Sequence, residues 1–120
     1  MGPAARDDVQ ELRVVDEAQL DALLAGPRPV LVELQSPWCG SCKRMAPAVR
    51  AAAAELKDQV EVVLVDIDET PRLSRRFDIP GVPTTILLID GERVATIVGA
   101  RTAPALLEEV RTWLRAAARP

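Results

Sequence analysis

Apolar and polar residues follow one another in blocks whose period changes along the chain, and each change marks a new element. Leu12 to Val15 is a short apolar stretch that predicts a first strand. Asp16 then stands as an N-cap with Gln19 three residues on, a capping-box arrangement that starts a helix. Leu20, Leu23 and Leu24 form its apolar face, and Gly26-Pro27 stops it. The run from Pro29 to Leu34 (PVLVEL) is β-branched, short and apolar at successive positions, as in a strand buried on both faces. From Cys39 to about Lys57, the positions Cys42, Met45, Ala46, Val49, Ala52, Ala53 and Leu56 recur at helical spacing. Cys42 therefore belongs to a buried stripe and Cys39 to the helix start. Pro47 falls inside this helix, where it removes a hydrogen bond and kinks the axis.

Val60 to Ile67 (VEVVLVDI) predicts a third strand, and Thr70-Pro71 forms an N-cap and first-position pair for a short helix to Phe77. Two prolines and a glycine make Ile79 to Pro83 a loop. Thr84 to Ile89 and Arg93 to Val98 flank Asp90-Gly91, a strong hairpin signal. Thr102 caps a last helix whose stripe is Leu106, Leu107, Val110, Trp113, Leu114 and Ala117, with Trp113 read as core. The order β-α-β-α-β-α-β-β-α implies an α/β domain: a mixed sheet, helices on both faces, parallel crossovers first and an antiparallel hairpin last. No repeat, linker or composition break divides it. The reading is a polar N-terminal arm over residues 1–10 and a single domain over 11–120.

Composition narrows the chemistry. The 120 residues include 15 basic and 18 acidic side chains and no histidine, for a net charge of -3. Without imidazole, Ser-His-Asp, Cys-His and HExxH chemistries are excluded. Basic and acidic residues are interleaved and no two of Trp38, Phe77 and Trp113 are close in sequence, which argues against nucleic acid. No apolar run approaches the roughly 18 residues of a membrane span. The N-terminus MGPAARDDVQ has neither a basic nor an apolar leader region. These features predict a non-exported, cytoplasmic chain with no membrane association.

Cys39 and Cys42 are the two cysteines, in WCGSCK. Zinc would need two more ligands that only carboxylates could supply, and haem attachment a histidine where Lys43 stands. A structural disulfide would close too short a loop to constrain much of the unfolded chain. Redox chemistry is the strongest reading that remains. At a helix N-terminus, unpaired amides and the positive end of the dipole favour the Cys39 thiolate. Residues i and i+3 of a helix lie ~5 to 6 Å apart, within disulfide reach. Attack by Cys39 on a target disulfide gives a mixed disulfide that Cys42 resolves.

Over residues 11 to 118 the chain resembles the thioredoxin family. WCGSCK resembles that family's WCGPCK; Pro47 matches its helix-kinking proline; Val82-Pro83-Thr84 matches its cis-proline loop, Asp90-Gly91 its last hairpin and Gly99-Ala100 the loop beside the cysteines. The resemblance implies a thioredoxin-like fold, a central mixed sheet of about five strands flanked by about four helices. It implies a cis Pro83 facing the cysteines, the Val82 backbone free to pair with an extended substrate, and docking by Trp38, Val82, Pro83, Gly99 and Ala100. It also implies a monomer that reduces protein disulfides with no bound cofactor or metal, recharged by a flavin-containing thioredoxin reductase.

Departures from the family matter as much. Its buried aspartate, proton acceptor for the second cysteine, is Glu33 here. Buried, Glu33 takes a raised pKa; the alternative is an acid at the sheet edge reaching solvent beside Gln35. The family's nearby lysine is Leu64, and the aromatic four residues before its first cysteine is Gln35. Ser41 replaces proline and adds a backbone donor and a hydroxyl that can point at the Cys39 thiolate, which predicts a raised redox potential. Trp38, Gly40, Ser41 and Pro83 are thus the redox-tuning positions. An oxidase or isomerase, or a binding module without catalysis, are the competing readings. Arg72, Arg75 and Arg76 read as a solvated face, Asp66 and Asp68 as turn formers, and Lys43 and Arg44 as tuners of the thiolate or contacts for an acidic partner.

Overall fold

The computed structural model describes residues 12–118, so the polar arm expected over 1–10 lies outside the described residues. Five strands, β1 (Arg13–Val14), β2 (Val30–Gln35), β3 (Glu61–Asp66), β4 (Thr84–Ile89) and β5 (Glu92–Val98), form one sheet in the order β1-β3-β2-β4-β5. β1, β3 and β2 run parallel, while β4 is antiparallel to β2 and β5 to β4. Four helices complete the domain: α1 (Glu17–Leu24), α2 (Gly40–Glu55), α3 (Pro71–Arg76) and α4 (Ala103–Ala118). This is the mixed sheet and element order that the hydrophobic pattern predicts.

β2 is central, hydrogen-bonded on both edges, and Val30 to Leu34 are all buried. Its two faces feed two cores. On one, Leu31, Leu64, Leu87 and Ile97 pack under Met45, Val49 and Ala52 of α2, its C-cap Leu56, and Leu106 and Val110 of α4. On the other, Val30, Val32, Leu34, Val63 and Ile86 pack against Leu20 of α1 and Leu73 of α3. Period-2 alternation sends alternate residues of each strand to opposite layers.

Local chemistry sets most boundaries as expected. Asp16 Oδ1 accepts from Gln19 N at 2.8 Å and Gln19 Oε1 from Asp16 N at 2.9 Å, closing the capping box of α1. Asp90 and Gly91 take φ of 53° and 79°, the left-handed pair a tight hairpin needs. Other expectations need correction. β1 is two residues long, although the Val15 amide still bonds Leu64 O at 2.9 Å. Thr70 makes no side-chain cap; its hydroxyl donates to Asp66 O at 3.1 Å, tying α3 to the end of β3. On α2, Ala48 is buried and Ala46 only half-buried, a rotation of the stripe by part of a turn. Trp113 is not core. It is 43% exposed, and from Thr112 to Ala118 only Leu114 is even partly covered, because α4 runs past the elements it packs on.

Candidate active site

The topology gathers four connections at one end of the sheet. β2 and β3 end there, β5 ends there with Val98 opposite Thr84, and β4 begins there. The cysteine turn follows β2, residues 67–70 follow β3, the Val82-Pro83 turn precedes β4, and Gly99-Ala100 follows β5. Residues far apart in sequence thus converge because parallel and antiparallel strands share this edge.

Cys39 is the N-cap of α2. Its sulfur accepts from the Cys42 amide at 3.1 Å, and Cys39 and Cys42 form a disulfide across a Cα separation of 5.2 Å. An N-cap side chain accepts from the second or third helical amide. Here it is the third, so the backbone donor to sulfur is Cys42, not Ser41. The Ser41 hydroxyl does reach the sulfur, at 3.5 Å from Cys39 Sγ. Both cysteines are buried. Pro47 lies within α2, one turn past Lys43, whose carbonyl its missing N–H would have bonded.

Trp38 is 68% exposed, and its indole Nε1 donates to Asp68 Oδ2 at 3.0 Å. The Asp68 amide in turn donates to Asp66 Oδ1 at 2.9 Å. Asp66 forms the turn its sequence context predicts, and Asp68 does more: its carboxylate anchors the indole beside the cysteine turn. The available signal was an exposed tryptophan beside a cysteine pair, whose N–H needs an acceptor from a neighbouring strand end.

The Val82–Pro83 peptide bond is cis, and Pro83 O accepts from the Gly99 amide at 2.9 Å, fastening the two loops together. Thr84 Oγ1 donates to Gly81 O at 2.6 Å and closes the turn. Val82 is half-buried and Ala100 exposed; Val98, which no motif singles out, is 51% exposed beside them. A pocket of about 370 Å³ continues this surface past Ala100, lined by Met45, Pro47, Ala48 and Ala103 with Arg44 and Arg101.

Glu33 is buried in the central strand, 2% exposed, which settles its placement against the sheet-edge alternative. Its cross-strand neighbours are Leu64 on β3 and Thr85 on β4. Burial pushes its carboxyl from 4.5 up to about 7. Gln35, two residues on, is half-buried. Among the described residues no group of three or more Cys, Asp or Glu side chains could hold a metal ion, and no helix is long and apolar enough to cross a membrane.

A disulfide at the head of a proline-containing helix, with a cis-proline turn at the same end of the sheet, invites comparison with known proteins. A family model described as Thioredoxin matches residues 11–112. The chain belongs to the thioredoxin family. It is 40% identical over 106 residues to the thioredoxin of Mycolicibacterium smegmatis, covering 87% of this chain and 95% of that protein. It is 36% identical over 99 residues, 82% of the chain, to 22% of the bifunctional thioredoxin reductase/thioredoxin of Mycobacterium leprae. Among solved structures, Plasmodium falciparum thioredoxin superposes with a TM-score of 0.78 at 26% identity, over 84% of this chain and 98% of that one.

Membership in the thioredoxin family makes this chain a thiol-disulfide oxidoreductase by chemistry, with Cys39-Cys42 as its redox pair. It also gives the departures a location. Leu64, where the resemblance places a lysine, is in direct register with Glu33. No ion pair among the described residues includes the Glu33 carboxylate.

Proposed function

We propose that this protein reduces the disulfides of other proteins by dithiol exchange. The Cys39 thiolate attacks one sulfur of a target disulfide, and the other target sulfur leaves as a thiolate, giving a mixed disulfide. Glu33 takes the proton of Cys42. The Cys42 thiolate then attacks Cys39 Sγ, the second target sulfur leaves, and Cys39-Cys42 is oxidised by the two electrons the target gains. A carboxyl titrating near 7 is suited to that proton transfer at neutral pH. The observation that carries this reading is the Cys39 sulfur at the N-cap of α2, held by the Cys42 amide at 3.1 Å. That amide and the positive end of α2 stabilise the thiolate.

Trp38, Val82, Pro83, Gly99 and Ala100 form the docking surface in this reading, with the Val82 backbone pairing with an extended segment of the target. The redox pair carries the electrons, so no bound cofactor is required, and a flavin-containing thioredoxin reductase recharges it. The relative in which a reductase and a thioredoxin are one protein supports that pairing of activities. The chain acts as a cytoplasmic monomer in electron transport and redox homeostasis.

A second reading keeps the exchange and reverses its direction. The Ser41 hydroxyl 3.5 Å from Cys39 Sγ favours it, since a donor at the thiolate stabilises the reduced form and makes the pair more oxidising. Both readings are tested by equilibrating the protein in graded thiol-disulfide buffers, alkylating free thiols and measuring the oxidised fraction by mass. A potential near about -270 mV supports the reductase, and one near about -200 mV an isomerase or oxidase. Cys42→Ser should accumulate a mixed disulfide with a protein substrate through Cys39. Failure of Cys42→Ser to do so would remove Cys39 as the attacking sulfur.

A further inference from the structure

Three buried side-chain oxygens among the described residues have no hydrogen-bond partner: Glu33 Oε2, Ser36 Oγ and Thr85 Oγ1. Leaving such a group unpaired in a dry interior costs about 1–3 kcal/mol. Ser36 lies beyond the end of β2, but Glu33 and Thr85 are direct antiparallel partners on adjacent strands. Their flanking residues Leu31 and Leu87 belong to the core beneath α2 and α4, so both oxygens face that layer. Glu33 is 2% exposed and Thr85 1%. The other elements of the layer bring little polarity. β3 presents Leu64 to Glu33, α4 buries Leu106 and Val110, and Cys42 is the one titratable side chain on the buried face of α2.

We infer that in the reduced protein the Thr85 hydroxyl turns from the unpaired position it holds here to hydrogen-bond the Glu33 carboxyl, and so positions and tunes the group that takes the Cys42 proton. Directly opposed antiparallel residues hold their Cβ atoms about 4.5–5.5 Å apart. A hydroxyl on one Cβ and a carboxyl two bonds beyond the other close that gap by side-chain rotation. The hydroxyl donates to the ionised carboxylate and accepts from the protonated acid, so the contact survives proton transfer and is stronger in the charged state. Favouring the charged state lowers the pH at which Glu33 ionises. With leucine on β3, this is the polar contact the sheet offers it.

The inference rests on Glu33 acting as proton acceptor, and the test separates the two. The full chain and its Glu33→Gln, Thr85→Val and Thr85→Ser variants are compared in the reduced state. One measurement is the Glu33 carboxyl titration, by NMR of the side-chain carboxyl carbon. The other is the pH profile of the rate at which each chain reduces a protein disulfide. Valine keeps the β-branched shape and removes the hydroxyl. Thr85→Val should raise the carboxyl titration and the profile midpoint together by about one pH unit, and Thr85→Ser should leave both near wild type. A carboxyl titration unmoved in Thr85→Val overturns the hydrogen bond. A wild-type profile in Glu33→Gln overturns the acceptor role, and the tuning with it, while leaving the titration result to stand alone.

Discussion

Glu33 sits in the central strand of the sheet, paired on both edges and packed on both faces, and burial raises its carboxyl from 4.5 to about 7. Between those values the native protein holds a proton that the unfolded chain has lost. Stability therefore falls as pH rises through this window, by about 3 kcal/mol in all, since a tenfold change in proton affinity is worth about 1.4 kcal/mol. Below the window both states are protonated and above it both are ionised, so the dependence flattens at each end. Glu33→Gln should remove this fall. Urea unfolding of the wild type and the variant at pH 5 and pH 8 measures it, and equal pH dependence in the two would mean that the carboxyl keeps its water. At this scale the sequence was informative where a residue broke a pattern. An acid within VLVEL, a serine between cysteines and a proline inside a helix all stood out. Thr85 did not, because a threonine in a strand is ordinary until its partner across the sheet is known.

Elements were legible wherever their signals are local. A capping box is complete within four residues and a two-residue hairpin turn within its own backbone, and α1 and the β4–β5 turn follow their sequence cues. Length along a neighbour is not local. The stripe through Leu106, Leu107, Val110, Trp113 and Leu114 reports which face of α4 is apolar, and says nothing of where the elements beneath it stop. Trp113 is accordingly 43% exposed while Leu106 is fully buried. Leu106→Ala should cost about 2–5 kcal/mol by leaving a cavity under α4. Trp113→Ala should cost less than about 1 kcal/mol, as expected of a largely exposed position. Denaturant midpoints of the two variants decide this, and a Trp113→Ala loss as large as that of Leu106→Ala would place the ring in the core.

At the scale of the whole molecule, strand order makes the site. Gly99 shows how tightly the loops depend on each other: it takes φ of 91° and its amide holds Pro83 O at 2.9 Å. Gly99→Ala should cost about 1–2 kcal/mol, because a side chain at that φ crowds the backbone. It should also raise KM for a protein disulfide several-fold with kcat little changed, since the docking loops shift while the cysteines do not. Steady-state kinetics on the variant, with thermal unfolding alongside, would sink this if KM stayed at the wild-type value. By itself the sequence determined the succession of strands and helices, the cysteine pair at a helix head and the family, because these rest on periodicity, caps and motifs spanning a few neighbouring residues. Only the tertiary structure decided that Asp68 anchors Trp38, that Val98 is exposed beside Gly99, that Thr85 lies opposite Glu33 and that Trp113 faces water. Each of those is a contact, or the lack of one, between segments far apart in the chain, and it exists only once the sheet has set its order and register.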